Sequence, residues 1–505
     1  MKILMVYPQF PETFWSFKHA LKFVSKKASY PPLGLLTVAA MLPAKWEKRL
    51  VDMNVDRLKD DDIAWADYVF LSAMAVQKES VAYVIERVHD IGGKIVAGGP
   101  LFTMEPDEYR EIDHLVLGEA EGILAEFVAD LEAGVAKPEY RASAFPAIEA
   151  TPVPDWSLIT MKNYSSMALQ YSRGCPFNCE FCDIVLLNGH RPRTKSSGQL
   201  IGELDSLYAY GWRDGVFVVD DNFIGNKKKL KTEILPAVID WRKGRKSPFP
   251  FNTEASIDLA DDDELIKLMV EAGFGAVFVG IETPNEESLV ECTKNQNRNR
   301  DLAEDVRKLH NAGLEVQGGF IVGFDSDPLS IFKSQINFIQ KTGIVTAMVG
   351  LLNAPPGTRL FQRLKKENRI VGDFDGTNMA TNFIPKMNPK TLLDGYKHIL
   401  RSIYSPREYY QRVGTFLHEF KPPKLKGMHL GNHHLKALWK SFWILGWKEQ
   451  GKRYYWRLML VTFFKRPRSF PVAVKLAIYG YHFRRIVEKY VGEKMGLRAT
   501  EKSFT

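Results

Sequence analysis

The sequence predicts an α/β protein with an N-terminal doubly wound parallel sheet, a central (β/α)6 partial barrel and a C-terminal α-helical domain. Two alternating series of short apolar runs and helical patterns predict the parallel sheets, with a spacing of roughly 30 residues in the second series. The strand-like runs stop after about Pro385 and helical patterns continue, which predicts the C-terminal α-helical domain. At 505 residues, the chain is also too long for a single hydrophobic core.

We place the first domain at residues 1–135, where a helical pattern at Ser80–Ile91 lies between two apolar runs. The four predicted strands are Ile3–Tyr7, Tyr68–Ser72, Lys94–Ala97 and His114–Leu117. Parallel sheets of this kind bind ligands beyond the carboxyl ends of their strands, and glycine-containing turns follow two of these strands. Each such glycine has two interpretations, close approach of a ligand or a tight turn.

Residues 136–163 contain four prolines and no clear period, which predicts a linker. The barrel is predicted at residues 164–385, with its active face at the carboxyl ends of the strands. Its predicted strands are Ala168–Ser172, Val216–Asp220, Phe251–Ala255, Val277–Ile281, Val316–Val322 and Thr346–Leu352. Helical patterns separate them, for example Gly198–Tyr210, Asp262–Ala272 and Asp301–Ala312.

Three of the four cysteines follow the first barrel strand as C-x3-C-x2-C: Cys175, Cys179 and Cys182. Disulfides between such close neighbours would be strained. Three thiolates on one loop can hold three irons of a [4Fe–4S] cluster and leave the fourth iron open. A Cys3His zinc site with His190 is the alternative, which we disfavour because zinc sites normally combine a two-cysteine knuckle with ligands from elsewhere.

The cysteine motif resembles that of the radical S-adenosylmethionine (SAM) enzymes, in which the open iron binds SAM, and the resemblance extends from Met167 to about Pro385. The family has an aromatic residue before the third cysteine, where Phe181 stands. At residues 220–222 the family often has Gly-Gly-Glu, whereas this chain has Asp-Asp-Asn. Two carboxylates there could instead serve as a metal or acid–base pair. The resemblance implies SAM contacts at Phe181, Asp220, Asp221, Asn222, Glu254, Ser256, Glu282 and Gly323.

The first domain, standing ahead of such a barrel, resembles that of the cobalamin-binding subclass of these enzymes. The residues implied in cobalamin binding are Pro32, Leu33, Gly34, Ser72, Gly98, Gly99, Pro100, Gly118 and Glu119. Many corrinoid domains ligate cobalt through Asp-x-His-x-x-Gly. Asp52-Met-Asn-Val-Asp56 has no histidine at that place, so we name no lower cobalt ligand. A flavodoxin-like domain that is structural or binds another ligand is the alternative.

The C-terminal part, residues 386–505, is rich in basic and aromatic residues. Between residues 421 and 490 there are sixteen Lys or Arg, fourteen aromatic residues and two acids. This mixture is typical of interfacial helices on anionic membranes, and a solvated helical cap and a nucleic-acid surface are the alternatives. The N-terminus lacks a signal-peptide pattern, and no apolar run reaches the roughly 18 residues of a membrane span. We expect a cytoplasmic protein with peripheral contact to the inner face of the membrane.

The whole layout is similar to that of the hopanoid methylases and related lipid-modifying enzymes. The resemblance implies a cobalamin-dependent radical SAM C-methyltransferase, with a [4Fe–4S] cluster, SAM, cobalamin and an external flavodoxin- or ferredoxin-like electron donor. In such enzymes a 5′-deoxyadenosyl radical removes a hydrogen from an unactivated carbon, methylcobalamin supplies the methyl group, and a second SAM remethylates the cobalt. A hydrophobic lipid or isoprenoid is the expected substrate. The alternatives are ring formation or carbon–carbon coupling with the same cofactors, and a metal-dependent sensor that binds nucleic acid.

Overall fold

The computed structural model describes residues 1–246, 248–377, 379–422 and 432–492. Part of the predicted C-terminal domain, including Lys424 and Lys426 of its basic segment, therefore lies outside the described residues. The strands are β1 (Lys2–Tyr7), β2 (Glu47–Asp52), β3 (Tyr68–Ser72), β4 (Ile95–Gly98), β5 (His114–Leu117), β6 (Glu139–Arg141), β7 (Ser166–Leu169), β8 (Ser172–Arg173), β9 (Arg193–Thr194), β10 (Gly215–Val218), β11 (Phe251–Glu254), β12 (Phe274–Glu282), β13 (Glu315–Val322) and β14 (Ala347–Leu351).

The helices lie between these strands and fill the C-terminal part. They are α1 (Lys18–Val24), α2 (Leu33–Met41), α3 (Asp60–Trp65), α4 (Lys78–Asp90), α5 (Pro100–Met104), α6 (Leu124–Ala133), α7 (Ile184–Asn188), α8 (Ser197–Ala209), α9 (Lys227–Lys229), α10 (Leu235–Lys243), α11 (Asp263–Ala272), α12 (Glu286–Glu291), α13 (Leu302–Ala312), α14 (Ile331–Thr342), α15 (Arg359–Lys366), α16 (Pro389–Ile403), α17 (Pro406–Glu419), α18 (Asn432–Trp443), α19 (Lys452–Lys465) and α20 (Phe470–Gly492). Short π-helical segments follow α9 and α18 (Leu230–Ile234 and Ile444–Lys448).

The first sheet has the strand order β2-β1-β3-β4-β5-β6, with every neighbouring pair parallel. Alternate residues of β1 enter two different hydrophobic cores, Ile3 and Met5 on one face and Leu4 and Val6 on the other. Because successive strand residues point to opposite faces, helices must cover both sides of this sheet. The predicted doubly wound sheet is confirmed.

Two strands of the first sheet were not expected from the sequence. β2 reads Glu-Lys-Arg-Leu-Val-Asp, and β6 lies inside the predicted linker, where it pairs with β5. Both are edge strands, which have one neighbour only and tolerate charged residues. The apolar pattern that marks a central strand is therefore missing from both.

The second sheet has the order β14-β13-β12-β11-β10-β7, again with all pairs parallel, and forms the predicted six-stranded partial barrel. β8 and β9 pair antiparallel beside it. Val218 of β10 lines one small cavity together with Leu204 of α8 and Val238 of α10, so this side chain faces the outer helices. Phe217 alternates with it along the strand and faces the inner side of the sheet.

The C-terminal helices pack on the barrel and on the start of the chain. The buried Tyr396 of α16 donates its hydroxyl to the carbonyl of Val349 (3.1 Å), and Tyr404 donates to that of Ala347 (2.5 Å). α20 contacts α1 of the first domain. Among the described residues, no helix combines the length and the apolar character that crossing a membrane requires.

Candidate cluster and cofactor site

The three predicted cluster ligands lie on a loop between β8 and α7, and the loop turns sharply at Gly174. Gly174 has φ +95°, and a Cβ there would lie 2.9 Å from three carbonyl oxygens, those of Asn188, Gly189 and Arg191. Only glycine avoids both the strained backbone and this crowding. The backbone N–H of Cys175 donates to the carbonyl of Gly189 (3.1 Å), which fixes the start of the loop.

Asp220 and Asp221 follow β10 and accept hydrogen bonds from the segment that leads into the cysteine loop. Asp220 accepts from the Tyr171 backbone N–H (2.7 Å) and from the Ser172 hydroxyl (2.6 Å). Asp221 accepts from the Gly174 N–H (2.9 Å) and from the Asn188 side-chain amide (2.9 Å). Both carboxylates therefore position the cysteine loop, a role the sequence did not indicate.

Burial raises the pKa of Asp220 to about 7, although its hydrogen bonds lower it. Burial also raises the pKa of Asp221 above its usual value. A carboxyl group shifted in this way holds its proton more readily than an exposed one.

The thiols of the loop are largely enclosed by protein. Cys179 is buried, and Cys175 and Cys182 are half-buried. Burial raises the pKa of Cys175 and of Cys182, so these thiols stay protonated unless a cationic centre such as iron stabilises the thiolates. The Gln296 side-chain amide lies 3.8 Å from the sulfur of Cys179.

The zinc alternative required His190, which is exposed. Within the ranges that the structure describes, no three His, Cys, Asp or Glu side chains are grouped closely enough to hold one metal ion. A [4Fe–4S] cluster binds each cysteine through a different iron, so it does not require such a group. The donor set, three thiols on one loop, fits the cluster.

A buried ion pair, missed from the sequence, lies near the cysteines. The Lys294 ammonium is 2.7 Å from a carboxylate oxygen of Glu282, and both side chains are about nine-tenths buried. Burial opposes the charge on Lys294, but the negative charges of Glu282 and of the Cys179 and Cys182 thiolates outweigh it and hold the pKa of the ammonium above its usual value. Lys294 stands two residues after the buried Cys292. Neither this spacing nor any motif marked Lys294 as a functional residue in the sequence.

The other predicted SAM residues lie at neighbouring strand ends. The Asn222 side chain exchanges hydrogen bonds with Ser256: its amide donates to the serine hydroxyl (3.1 Å), and its carbonyl accepts from the serine backbone N–H (3.2 Å). The Glu254 carboxylate makes no hydrogen bond to any residue in the described part of the chain. Burial raises the pKa of Glu254 to about 7, and the charges of Asp221 and Asp220 add to the shift.

Two further predicted SAM residues, Phe181 and Gly323, lie on the cysteine loop and after β13. The Phe181 ring packs 6.3 Å from that of Phe324, and the Gly323 N–H donates to Asp327 (2.8 Å). Glu282, also predicted to contact SAM, accepts a hydrogen bond from Lys294. The structure thus brings the predicted residues to the carboxyl ends of β10 to β13, except Phe181, which lies on the cysteine loop. Their contacts with SAM stay predictions.

The predicted cobalamin residues lie mainly at the carboxyl ends of β3, β4 and β5. Ser72 ends β3, and Gly98 to Pro100 pass from β4 into α5. Gly99 has φ +92°, and a Cβ there would lie 2.5 Å from the Ser72 hydroxyl. Gly118 follows β5, and Pro32, Leu33 and Gly34 form the start of α2. A Cβ at Gly34 would meet no described atom within 4 Å, which leaves room for close approach of a ligand.

The segment that replaces the corrinoid histidine motif is held by the protein itself. Asn54 accepts a hydrogen bond from the Phe10 N–H (2.8 Å). Asp52 is buried and accepts from the hydroxyl of Tyr164 (3.0 Å), which lies just before β7, the first strand of the barrel. This segment therefore braces the first domain against the barrel.

Glu119, predicted to contact cobalamin, belongs to a four-residue ion-pair network between the two domains. Arg173 donates to Glu119 (2.7 Å) and to both carboxylate oxygens of Glu121 (2.9 and 2.8 Å). Arg193 also donates to Glu119 (2.8 Å). Burial opposes the charge, but the hydrogen bonds of Arg173 hold the pKa of Glu121 at about 2. The network joins the end of β5 to the residue two positions before Cys175.

Aromatic rings of the first domain lie against the inner face of the barrel. The Tyr30 and Phe217 rings are 5.1 Å apart, and the Trp15 and Phe278 rings are 5.0 Å apart. Trp15 nevertheless remains 50% exposed. Trp15 thus presents apolar surface beside the barrel that the protein's own side chains do not cover.

Comparison with known proteins agrees with this architecture. Residues 24–128 match the B12 binding domain, residues 169–338 the radical SAM superfamily, and residues 358–495 a domain of unknown function (DUF4070). The chain is 41% identical to an uncharacterized methyltransferase of Synechocystis sp., over 98% of this chain and 94% of that protein. It is 33% identical to the hopanoid C-2 methylase of Rhodopseudomonas palustris, over 91% of this chain and 89% of that protein.

The chain belongs to the cobalamin-binding radical SAM enzyme family. A solved structure shares its fold, that of the radical SAM methyltransferase TsrM from Kitasatospora setae with cobalamin and a [4Fe–4S] cluster bound. The TM-score is 0.62 at 13% identity, over 97% of this chain and 100% of that one. This radical SAM enzyme is therefore a methyltransferase that uses a [4Fe–4S] cluster, SAM and cobalamin, as the sequence predicted.

Proposed function

We propose that this radical SAM enzyme methylates an unactivated carbon of a hydrophobic substrate, a lipid or an isoprenoid. When bound, the cofactors supply a 5′-deoxyadenosyl radical that removes a hydrogen atom and methylcobalamin as the methyl donor. The observation that carries the substrate class is the half-exposed ring of Trp15, which lies against Phe278 of the barrel. An exposed apolar surface of this kind is suited to an apolar ligand. The likeness to a hopanoid C-2 methylase supports the same class.

The chain's own residues have three proposed tasks. Cys175, Cys179 and Cys182 hold the cluster, and the loop that carries them is kept in place by Asp221 through Gly174. Glu254 lies at the carboxyl end of β11, and its carboxylate has no hydrogen-bond partner among the described residues, so we assign it to a polar group of SAM.

Asn222 and Ser256, which bond each other beside Glu254, shape the same edge of the SAM site. The residues at the ends of β3, β4 and β5 would hold cobalamin. A flavodoxin- or ferredoxin-like protein supplies the electrons.

The proposed substrate also suggests where the enzyme works. Lipids and isoprenoids reside in membranes, and the C-terminal part carries sixteen Lys or Arg between residues 421 and 490. Cations of this density attract anionic headgroups. We place the enzyme in the cytoplasm, in peripheral contact with the inner face of the membrane.

The test is to express the gene in a host that makes isoprenoid lipids, under anaerobic conditions with cobalamin, and to compare lipid masses with those of a strain expressing Cys179→Ser. We expect a lipid that is heavier by one CH2 only when the cluster ligand is intact. A product lighter by two hydrogens would indicate that the enzyme forms a ring and does not transfer a methyl group. Identical lipids from both strains, with iron and cobalt bound to the wild-type protein, would contradict the proposed substrate class.

A further inference from the structure

Two C-terminal helices present a row of exposed apolar side chains to solvent. These side chains lie on α18, on the π-helical segment after it and on α19, and their exposure ranges from 40% for Trp456 to 76% for Phe464. We call them the aromatic surface: Trp439, Trp443, Trp447, Trp456, Leu460, Phe463 and Phe464. Soluble proteins rarely expose a contiguous apolar patch of this kind unless it binds a partner.

The spacing of these residues places them on one side of each helix. Trp439, Trp443 and Trp447 follow one another at intervals of four, which is about one helical turn. Trp456, Leu460 and Phe464 repeat the same interval on α19. Each helix therefore carries one apolar stripe that faces away from the protein.

The two stripes lie side by side because the helices are joined through Trp456. Its ring stacks on Phe442 of α18 with 5.5 Å between ring centres, and its indole N–H donates to the carbonyl of Gly446 (2.8 Å). The opposite sides of the helices are buried in the protein, as Leu445, Tyr455 and Leu458 show. The helices are thus fixed to the fold, and the aromatic surface is a rigid feature.

Cations border the aromatic surface. Lys448, Arg453, Arg457 and Lys465 are exposed, and none is paired with a carboxylate in the described ranges. The Lys448 ammonium lies 5.4 Å from the ring centre of Trp443. Indole rings and lysine stems of this arrangement are suited to the boundary between headgroups and acyl chains.

We infer that the aromatic surface docks on an anionic lipid bilayer, with its rings at the headgroup–acyl boundary and the bordering cations on acidic headgroups. Charge complementarity selects this occupant: unpaired cations around an apolar stripe attract anionic lipid, with about 1 kcal/mol for each Lys or Arg near the surface. A second copy of the chain would bring like charges together at the same surface.

This inference rests on the peripheral membrane contact proposed above and names the surface that makes it, but it is independent of the proposed reaction, because a docked protein need not methylate any lipid. Its test is flotation of the full-length enzyme with vesicles of phosphatidylcholine alone and of phosphatidylcholine with phosphatidylglycerol. The aromatic variant is Trp439→Ser, Trp443→Ser, Phe464→Ser. The control variant, Val135→Ser, Tyr210→Ser, Leu329→Ser, replaces three side chains of similar exposure elsewhere on the molecule. Circular dichroism verifies that both variants are folded.

We expect the wild type and the control variant to float with the anionic vesicles, and the aromatic variant to bind at least tenfold more weakly. The variant Arg453→Gln, Arg457→Gln, Lys465→Gln should lose the preference for anionic lipid, by about fivefold for each cation removed. Equal binding by the aromatic and control variants would overturn the inference. Absence of vesicle binding by the wild type would also overturn it. In that case, loss of a dimer in ultracentrifugation, or loss of binding to single-stranded DNA, by the aromatic variant would identify the other occupant of the surface.

Discussion

Arg173 donates a hydrogen bond of 2.7 Å to Glu119, and this contact joins the strand before the cysteine loop to the loop after β5 of the first domain. Arg193 and Glu121 complete the network, and all four side chains are at least four-fifths buried. The network ties the cluster loop directly to the domain that binds cobalamin. It is therefore suited to fix the distance between the two cofactor sites.

We predict that Glu119→Gln destabilises the junction between the domains. Removal of one carboxylate leaves Arg193 and part of Arg173 buried without a counter-charge, which costs about 3–5 kcal/mol. Calorimetry should resolve two thermal transitions where the wild type shows one. Asp240→Asn is the control, because its ion pair with Lys243 is exposed. A single transition at the wild-type temperature in both variants would exclude this role.

Gly174→Ala should prevent cluster assembly without unfolding the enzyme. The substitution imposes a left-handed backbone on alanine and sets its methyl group 2.9 Å from three carbonyl oxygens. We expect iron content to fall well below half of the wild-type value. Gly198→Ala is the matched control, since it lies in α8 with open space around its Cα and should retain full iron. Normal iron in Gly174→Ala would show that the loop tolerates a different turn.

Lys294→Met should lower the reduction potential of the cluster. The ammonium lies near Cys179 and Cys182, and loss of a positive charge makes addition of an electron less favourable. The double variant Lys294→Met, Glu282→Gln removes both members of the ion pair and should return the potential toward the wild-type value. Redox titration followed by electron paramagnetic resonance measures both. If the single variant kept the wild-type potential with its iron intact, Lys294 would have no electrostatic role at the cluster.

Asp220 makes stability depend on pH. Its folded-state pKa of about 7 exceeds the unfolded value of about 4, so the folded chain binds the extra proton between these limits. Stability from this group is fully present below about pH 4 and is lost as pH rises through about 7. Each pKa unit corresponds to about 1.4 kcal/mol, which makes the loss on the order of a few kcal/mol.

Asp220→Asn should remove this part of the pH dependence, because the amide can accept from Tyr171 and donate to Ser172 without titrating. Urea unfolding of the cluster-free protein between about pH 5 and pH 8 measures the effect. The wild type should lose more stability than the variant over this range. Parallel curves for the two proteins would assign the pH dependence to other groups, such as Glu254.

The central strands could be predicted from the sequence because both faces of a parallel sheet are buried and the strands read as apolar runs. His114–Leu117 was predicted with the bounds that the structure shows. The edge strands β2 and β6 could not be predicted from the sequence, since their sequences are polar. The cysteine loop was predictable because its three ligands are close in sequence.

The partners of the site residues could not be read from the sequence. Asp221 holds Gly174 from 47 positions away, and Arg173 meets Glu119 across 54. No local pattern records contacts between segments that only the fold brings together. For the same reason Lys294 gave no signal, although it lies two residues from the fourth cysteine.

The central claim, radical methyl transfer to a hydrophobic carbon, is tested most directly with SAM that carries a deuterated methyl group. The purified enzyme, with reductant and cobalamin, is incubated with a lipid extract. We predict a lipid product with the deuterated methyl group, formed together with equal amounts of 5′-deoxyadenosine and S-adenosylhomocysteine. Formation of 5′-deoxyadenosine with an altered but unlabelled lipid would contradict the claim and establish cyclisation or coupling in its place.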